Sequence, residues 1–112
     1  TGELSFTLAM ALSWLEEWID QEKYNIIIEK VNERIFIPYI KSTTPDDIAD
    51  RVWWYDDHCN WNTVCNGGAL CLALYLAEEN DFAQKTITIA MEGNVDFLPV
   101  KLPSYVFSPY RD

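Results

Sequence analysis

Two segments of this chain carry apolar residues at helical spacing on every side, and they constrain the fold more than any other feature. The first runs from about Glu3 to Ile19 and the second from about Trp61 to Glu79. A helix that is apolar all round presents no polar face to water, so both helices are predicted to be buried. The two segments are also similar to each other, because Leu8–Glu17 lines up with Leu70–Glu79.

Each of these helices is followed by a more polar segment. Asp20 can cap an amphipathic second helix over about Gln21–Ile37. Asp81 can cap a fourth helix that runs to about Val95. The alternating β-branched residues at 85–89 leave a strand possible within this last segment.

A long connection separates the two halves of the chain. Pro38 is expected to end the second helix, because proline lacks the backbone N–H that a helix interior needs. A short helical turn over Pro45–Val52, capped by Thr44, is predicted within the connection. Loops of this length in compact domains are often functional.

Two successive units of buried helix, tight turn and amphipathic helix predict an all-α fold of stacked αα-hairpins, as in part of an α/α barrel or toroid. Residues 1–98 would form the two hairpins, and residues 99–112, which include three prolines, would form an extended tail. Two hairpins alone leave large apolar faces open. We therefore expect the chain to pack on further toroid helices or to self-associate.

The charge balance excludes one class of partner. Eighteen acidic residues against eight basic ones give a net charge of −10. Nucleic-acid binding needs clustered Lys and Arg, so no nucleic-acid partner is expected. The same charge fits poorly with a polyanionic substrate unless basic residues come from elsewhere.

The sequence predicts no membrane span, metal site or cofactor, and it shows no signal peptide. The longest strongly apolar run, Ala69–Ala77, is too short to span a bilayer. No signal peptide is visible at the start of the sequence. The three cysteines, Cys59, Cys65 and Cys71, do not have zinc-ligand spacing, so no metal is predicted. We interpret them as free thiols, with Cys65 and Cys71 packed as small apolar residues. No cofactor is expected.

The segment of residues 53–68 is the candidate functional region. It gathers three tryptophans, a tyrosine, the only histidine, two carboxylates and three asparagines ahead of an apolar helix. Aromatic rings beside hydrogen-bonding amides are typical of sugar-binding clefts. The candidate site residues are His58, Asn60 and Asn62 with the tryptophans Trp53, Trp54 and Trp61.

Within that segment, Asn60-Trp-Asn-Thr-Val-Cys-Asn-Gly-Gly, followed by an Ala- and Leu-rich helix, resembles the heparinase II/III-like polysaccharide lyases and their alginate-lyase relatives. Trp53-Trp54 and the opening Gly2-Glu3 before the first apolar helix also match. The resemblance covers roughly residues 2–98 and implies an α/α-toroid domain. It also implies a bacterial, periplasmic or secreted protein that acts on an acidic polysaccharide or oligosaccharide.

The chemistry implied by the resemblance is β-elimination across a uronic acid. A base removes the C5 proton, an acid assists the departing C4 oxygen, and another group neutralises the C6 carboxylate. By position, Asn60 takes the neutralising role, with His58 as a catalytic neighbour. The neighbouring Asn62 and the three tryptophans Trp53, Trp54 and Trp61 are the expected substrate-binding residues. The catalytic tyrosine segment and the further histidines of the family have no counterpart here, so this chain alone is expected to be inactive even if its parent protein is a lyase.

Each candidate residue also has a structural interpretation. Asn60 could simply cap the third helix, and His58 could be a structural or solvated loop residue. The three tryptophans could anchor the loop, while Gly67-Gly68 could allow close helix packing. Two alternative functions remain open beside the lyase: a non-catalytic carbohydrate-binding or structural α/α-repeat module, and a helical module for a protein partner.

Overall fold

The computed structural model describes residues 2–78 and 80–93, and all regular secondary structure within them is helical. The helices are α1 (Gly2–Leu15), α2 (Gln21–Val31), α3 (Ile37–Thr43), α4 (Asn60–Tyr75) and α5 (Asp81–Gly93). A π-helical turn, Asn32–Phe36, joins α2 to α3, and 3₁₀ turns occur at Glu16–Trp18, Ile48–Asp50 and Trp53–Tyr55. The predicted all-α class is confirmed, and the strand alternative at 85–89 is wrong because α5 covers it. The predicted tail, residues 99–112, lies outside the described residues.

The helices pack around a shared core. α1 packs on α4, and α5 packs on α4 and on α3. The core residues come from α1, α2, the π turn, α4 with the turn that follows it, and α5. The buried members of this core are Leu12, Val31, Ile35, Phe36, Leu72, Ala73, Leu76 and Ala83.

The two helices that are similar in sequence, α1 and α4, lie next to each other in the fold. The backbone of Gly2 lies against α4 at Val64, Cys65 and Gly68. Further along both helices, the Tyr75 hydroxyl donates to the Leu12 carbonyl at 3.2 Å, a contact between residues 63 positions apart. α1 and α4 therefore run in the same direction.

Gly68 makes this close packing possible. A Cβ atom built on Gly68 would lie 2.0 Å from the Gly2 carbonyl oxygen. Any larger residue would push the two helices apart at this point. The structural interpretation of the glycine pair holds for Gly68, whereas a Cβ on Gly67 would meet no atom within 4 Å.

Pro38 does not end the second helix, which is a correction to the sequence prediction. The helical path continues through the π turn into α3 and reaches Thr43. In the π turn the Ile37 N–H donates to the Asn32 carbonyl, one residue further back than in an α-helix. This wider turn places Pro38 in the first turn of α3, where its missing N–H disrupts no regular ladder.

Of the two caps predicted for the amphipathic helices, one is confirmed and one needs correction. The Asp20 carboxylate does cap α2, accepting from the Lys23 N–H at 2.9 Å. The cap of α5, however, is Asn80, whose side-chain oxygen accepts from the N–H groups of Phe82 and Ala83. Asp81 is the first residue inside that helix.

The capping of the loop turn was also predicted wrongly. The Thr44 hydroxyl donates back to the Ile40 carbonyl at 2.6 Å and so completes the end of α3. The 3₁₀ turn Ile48–Asp50 is instead capped by Asp47, whose carboxylate accepts from the Ala49 N–H at 3.0 Å.

The predicted burial of the first helix is wrong. Among the residues of α1, only Gly2, Ser5 and Leu12 are buried. Its large apolar side chains Leu4, Phe6, Met10, Trp14 and Leu15 are exposed. Within residues 2–78 and 80–93, α4 packs on both α1 and α5, whereas α1 packs mainly on α4 and, through the core, on side chains of α2.

Candidate functional site

The loop before α4 is held by an aromatic anchor. Tyr55, in the 3₁₀ turn Trp53–Tyr55, is buried, and its hydroxyl donates to the Ile89 carbonyl on α5 at 2.6 Å. The Arg51 guanidinium lies 4.7 Å from the centre of the Tyr55 ring and forms an ion pair with Asp56 at 2.8 Å. The loop is thereby fixed against α5 immediately before α4 begins.

Asn62 fixes the same loop from the side of α4. Its side chain is fully buried, and its amide nitrogen donates to the Gly93 carbonyl at 2.6 Å and to the Tyr55 carbonyl at 2.8 Å. The Trp54 carbonyl lies at 3.1 Å from the same nitrogen. One side chain therefore ties together the loop, α4 and the end of α5, and the structure places this predicted substrate-binding residue in the interior.

Asn66, one turn further along α4, extends this network. Its nitrogen donates to the Gly93 carbonyl at 3.1 Å, and its oxygen accepts from the Tyr39 hydroxyl at 2.5 Å. Burial raises the pKa of Tyr39 well above the ordinary tyrosine value, so the hydroxyl remains a donor throughout the physiological range. Sequence analysis missed the roles of Asn66 and Tyr39. The available signal was the pair of asparagines four residues apart on an otherwise apolar helix.

Asn60 has a different environment from Asn62. It is the first residue of α4 and is exposed, while Cys59 occupies the cap position without a side-chain hydrogen bond to the helix. The capping interpretation of Asn60 is therefore wrong. The Cys59 side chain does not cap α4, and the positive end of the helix dipole lies beside the Asn60 amide.

Two tryptophans and the histidine are exposed around this helix start. Trp53 is 63% and Trp61 47% exposed, and His58 is also exposed. We call these exposed residues of the loop and the helix start, together with Asn60, the α4 rim: Trp53, His58, Asn60 and Trp61. The rim combines aromatic rings, an imidazole and an amide, which are the groups that bind sugar faces and hydroxyls.

Trp54 points to a separate cavity. Its ring stacks on Tyr39 with centroids 6.2 Å apart and an interplanar angle of 28°. Both rings line a cavity of about 270 Å³ between α1, α3 and α4, together with Arg34 and Cys65. Trp54 is half-buried there, so it does not belong to the α4 rim.

The cysteines have three different environments. Cys65 is half-buried in this cavity, and its burial raises the pKa of the thiol, so the thiol remains protonated at neutral pH. Cys59 is also half-buried, but Cys71 is exposed, so it is not the packed residue that the sequence predicted. Within residues 2–78 and 80–93, no group of three or more His, Cys, Asp or Glu residues is placed to hold a metal ion.

Comparisons with other proteins leave the family undetermined. No protein-family model matches this chain, and neither a curated protein nor a solved structure is significantly similar to it. None of the helices in the part of the chain that the structure describes is long and apolar enough to cross a membrane.

Proposed function

We propose that this chain is part of the toroid domain of a bacterial polysaccharide lyase that cleaves uronic-acid-containing glycans by β-elimination in the periplasm or outside the cell. The observation that supports this proposal is that the residues of the segment Asn60–Gly68 have different roles in the structure. Asn62 and Asn66 bind backbone carbonyls in the interior, and Gly68 admits the neighbouring helix. Asn60 is left at the surface, at the start of α4.

This position suits the neutralisation of a substrate carboxylate. The amide of Asn60 can donate to a C6 carboxylate, and the dipole of the helix start favours negative charge at the same point. Both effects grow as the C5 proton leaves and charge spreads onto the carboxylate, so they stabilise the transition state more than the ground state.

The α4 rim supplies binding groups around that point. Trp53 and Trp61 offer exposed rings for the apolar faces of pyranose units, and His58 lies two positions before Asn60. The tyrosine that would move protons at C5 and C4 is not assigned in this chain. We therefore propose that the chain alone binds acidic oligosaccharides but does not turn them over.

A second candidate is a carbohydrate-binding module without catalysis. The exposed tryptophans of the α4 rim favour it, because ring stacking on a sugar needs no proton-transfer groups. The two candidates share a binding site and differ only in whether the protein that contains this chain forms an unsaturated product.

Titration with oligosaccharides of uronic acid tests the shared site. Asn60→Asp keeps the size of the side chain but places a negative charge against the substrate carboxylate, and we expect at least a tenfold loss of affinity, about 1.4 kcal/mol. Asn25→Asp, on the exposed face of α2, is the matched control and should bind as the wild type does.

Ultraviolet absorbance of a new C4–C5 double bond then separates the two candidates. It should appear when a natural protein that extends this chain is mixed with the glycan, and Asn60→Ala should abolish it. Binding without this signal would favour the non-catalytic module. Absence of binding to every uronic-acid oligosaccharide would contradict both.

A further inference from the structure

The cavity beside Trp54, which we call the Trp54 cavity, differs in chemistry from the α4 rim. Its volume of about 270 Å³ is close to the lower end of the range for ligand pockets, which begins at about 300 Å³. The residues that line it belong to α1, the π turn, α3, the loop before α4 and α4 itself. The cavity is therefore enclosed between elements of this chain, and it does not depend on an uncovered outer face of α1.

The charge at this cavity is positive, although the chain as a whole is acidic. Among the described residues that line it, Arg34 is the only charged one. The ion pairs found elsewhere in the described part of the chain engage Lys23, Lys30 and Arg51, and none of them involves Arg34. In a chain with a net charge of −10, a cavity with a guanidinium and no carboxylate in its lining favours an anionic ligand.

The rest of the lining favours an apolar ligand body over a sugar. Its large or apolar members are Ile35, Pro38, Trp54 and Ala69. Two of its hydroxyl groups already donate within the protein: that of Tyr39 donates to the Asn66 side chain at 2.5 Å, and that of Ser42 donates to the Tyr39 carbonyl at 3.1 Å. A pyranose ring carries several hydroxyl groups that each need a partner, because a polar group that is buried without a hydrogen bond costs free energy. A flat apolar body with a single charged group matches this lining better.

The aromatic wall of the cavity is held in place by the surrounding structure. The Trp54 ring stacks on Tyr39 with centroids 6.2 Å apart, and the Tyr39 hydroxyl is fixed by its bond to Asn66. The Trp54 carbonyl accepts from the Asn62 amide nitrogen at 3.1 Å. A wall that is already ordered lowers the entropy cost of binding a ligand against it.

We propose that the Trp54 cavity binds a small carboxylate with a flat apolar body, such as an aromatic acid. The carboxylate of the ligand pairs with the Arg34 guanidinium, whose planar array of donors matches two carboxylate oxygens. The ring of the ligand lies against Trp54 and leaves water, which adds the apolar contribution to binding. This site goes beyond the proposed glycan function and does not depend on it.

Three probes of nearly the same shape test the charge and the body of the ligand separately. Benzoate carries the carboxylate, benzamide is its neutral counterpart, and benzamidine carries a positive charge instead. Each is titrated into the ¹⁵N-labelled protein, and the Trp54 indole signal is followed in a ¹⁵N–¹H correlation spectrum. We expect a saturable shift with benzoate, at least tenfold weaker binding of benzamide, and no shift with benzamidine.

Arg34→Met removes the charge and keeps a side chain of similar length. Arg34 is exposed, so the fold should be retained, as far-UV circular dichroism will verify. We expect at least a tenfold loss of affinity for benzoate, because the carboxylate loses its partner. Lys85→Met makes the same change of net charge at an exposed position of α5 and should leave the affinity unchanged.

A second pair of variants tests the space in the cavity. Cys65 lines the cavity and is half-buried, so Cys65→Leu should occupy part of the space and weaken benzoate binding at least tenfold. Cys71→Leu is the matched control, because Cys71 is exposed on the same helix and does not line the cavity. If Cys65→Leu does not fold, protection of the Cys65 thiol replaces it: saturating benzoate should slow thiol labelling of Cys65 in the wild type and leave the rate at Cys71 unchanged.

Three results would overturn the proposal. These are the absence of a Trp54 shift at high benzoate concentration, equal affinities for benzoate and benzamide, and an unaltered affinity in Arg34→Met. Benzoate has no sugar hydroxyl groups, and Trp54 does not belong to the α4 rim. Failure of benzoate to bind would therefore leave the glycan proposal standing, and failure of the glycan titration would leave this one standing.

Discussion

Asn60 and Asn62 are the same residue type two positions apart in one helix, and the structure gives them opposite environments. Asn62 is fully buried and donates to carbonyl groups of the loop and of α5. Asn60 is exposed at the helix start. Residues two positions apart in an α-helix lie about 200° apart around its axis. One of them can therefore point into the interior while the other lies at the surface. The motif therefore combines a buried structural residue, Asn62, with a candidate ligand-binding residue, Asn60.

The largest effect on stability should come from removing the Asn62 side chain. Asn62→Ala takes away the donor that the Tyr55 and Gly93 carbonyls share and leaves a cavity in its place. We expect a loss of about 3 kcal/mol in the free energy of unfolding, measured by urea denaturation. Asn60→Ala should change it by less than about 0.5 kcal/mol, because the side chain is exposed. Equal losses for the two variants would remove the distinction on which our interpretation depends.

The adjacent glycines offer a second contrast. Gly68→Ala would bring a Cβ atom to 2.0 Å from the Gly2 carbonyl oxygen, so α1 must move, and we expect a loss of about 2 kcal/mol. Gly67→Ala adds a methyl group to open space and should raise stability by up to about 1 kcal/mol, because alanine favours the helix. Thermal unfolding of the two variants side by side measures both effects. Loss of stability in Gly67→Ala would show that Gly67 has a neighbour in the fold.

Alkaline pH provides a smaller test of the buried network. Because burial raises the pKa of Tyr39 above its ordinary value of 10.0, the folded state holds this proton more tightly than the unfolded state does. The resulting stability is fully present below pH 10.0 and is lost as the pH rises beyond it. Tyr39→Phe should be less stable than the wild type at neutral pH by about 1 kcal/mol and should decline less steeply in alkali. Urea unfolding at a series of pH values measures both, and an unchanged slope would contradict the role of Tyr39.

The cysteines should differ in reactivity without any change in stability. Cys71 is exposed, whereas burial both shields Cys65 and raises the pKa of its thiol. Labelling of the native protein with a thiol reagent at pH 8 should modify Cys71 at least tenfold faster than Cys65. Mass spectrometry of the peptides identifies the labelled residue, and equally rapid labelling of both would contradict the described packing around Cys65.

The sequence predicted the positions of the helices better than the burial of their side chains. Apolar spacing located α1 and α4, and the capping rule found Asp20. Spacing does not reveal which faces of a helix have neighbours, however, so α1 and α4 were both expected to be buried, although Trp14 on α1 is 70% exposed and Leu74 on α4 is 59% exposed. The continuation of the helical path past Pro38 could not be predicted from the properties of proline alone, because the π turn that accommodates this residue involves the five residues before Ile37.

The candidate site was predictable as a segment but not residue by residue. Composition drew attention to residues 53–68, and the structure distributes them among the α4 rim, the buried network and the Trp54 cavity. The partners that decide these assignments, such as the Gly93 carbonyl and the Tyr39 hydroxyl, come from distant parts of the chain. Only the folded arrangement brings them together.

The most direct test of the central claim is a titration followed by the side-chain amide signals in a ¹⁵N–¹H correlation spectrum. An oligosaccharide of uronic acid should shift the Asn60 amide and the Trp53 and Trp61 indole signals, while the Asn62 and Asn66 amides stay in place. Shifts of Asn62 and Asn66 with Asn60 unmoved, or no shifts at all at saturating glycan, would contradict the assignment of the α4 rim as the ligand site.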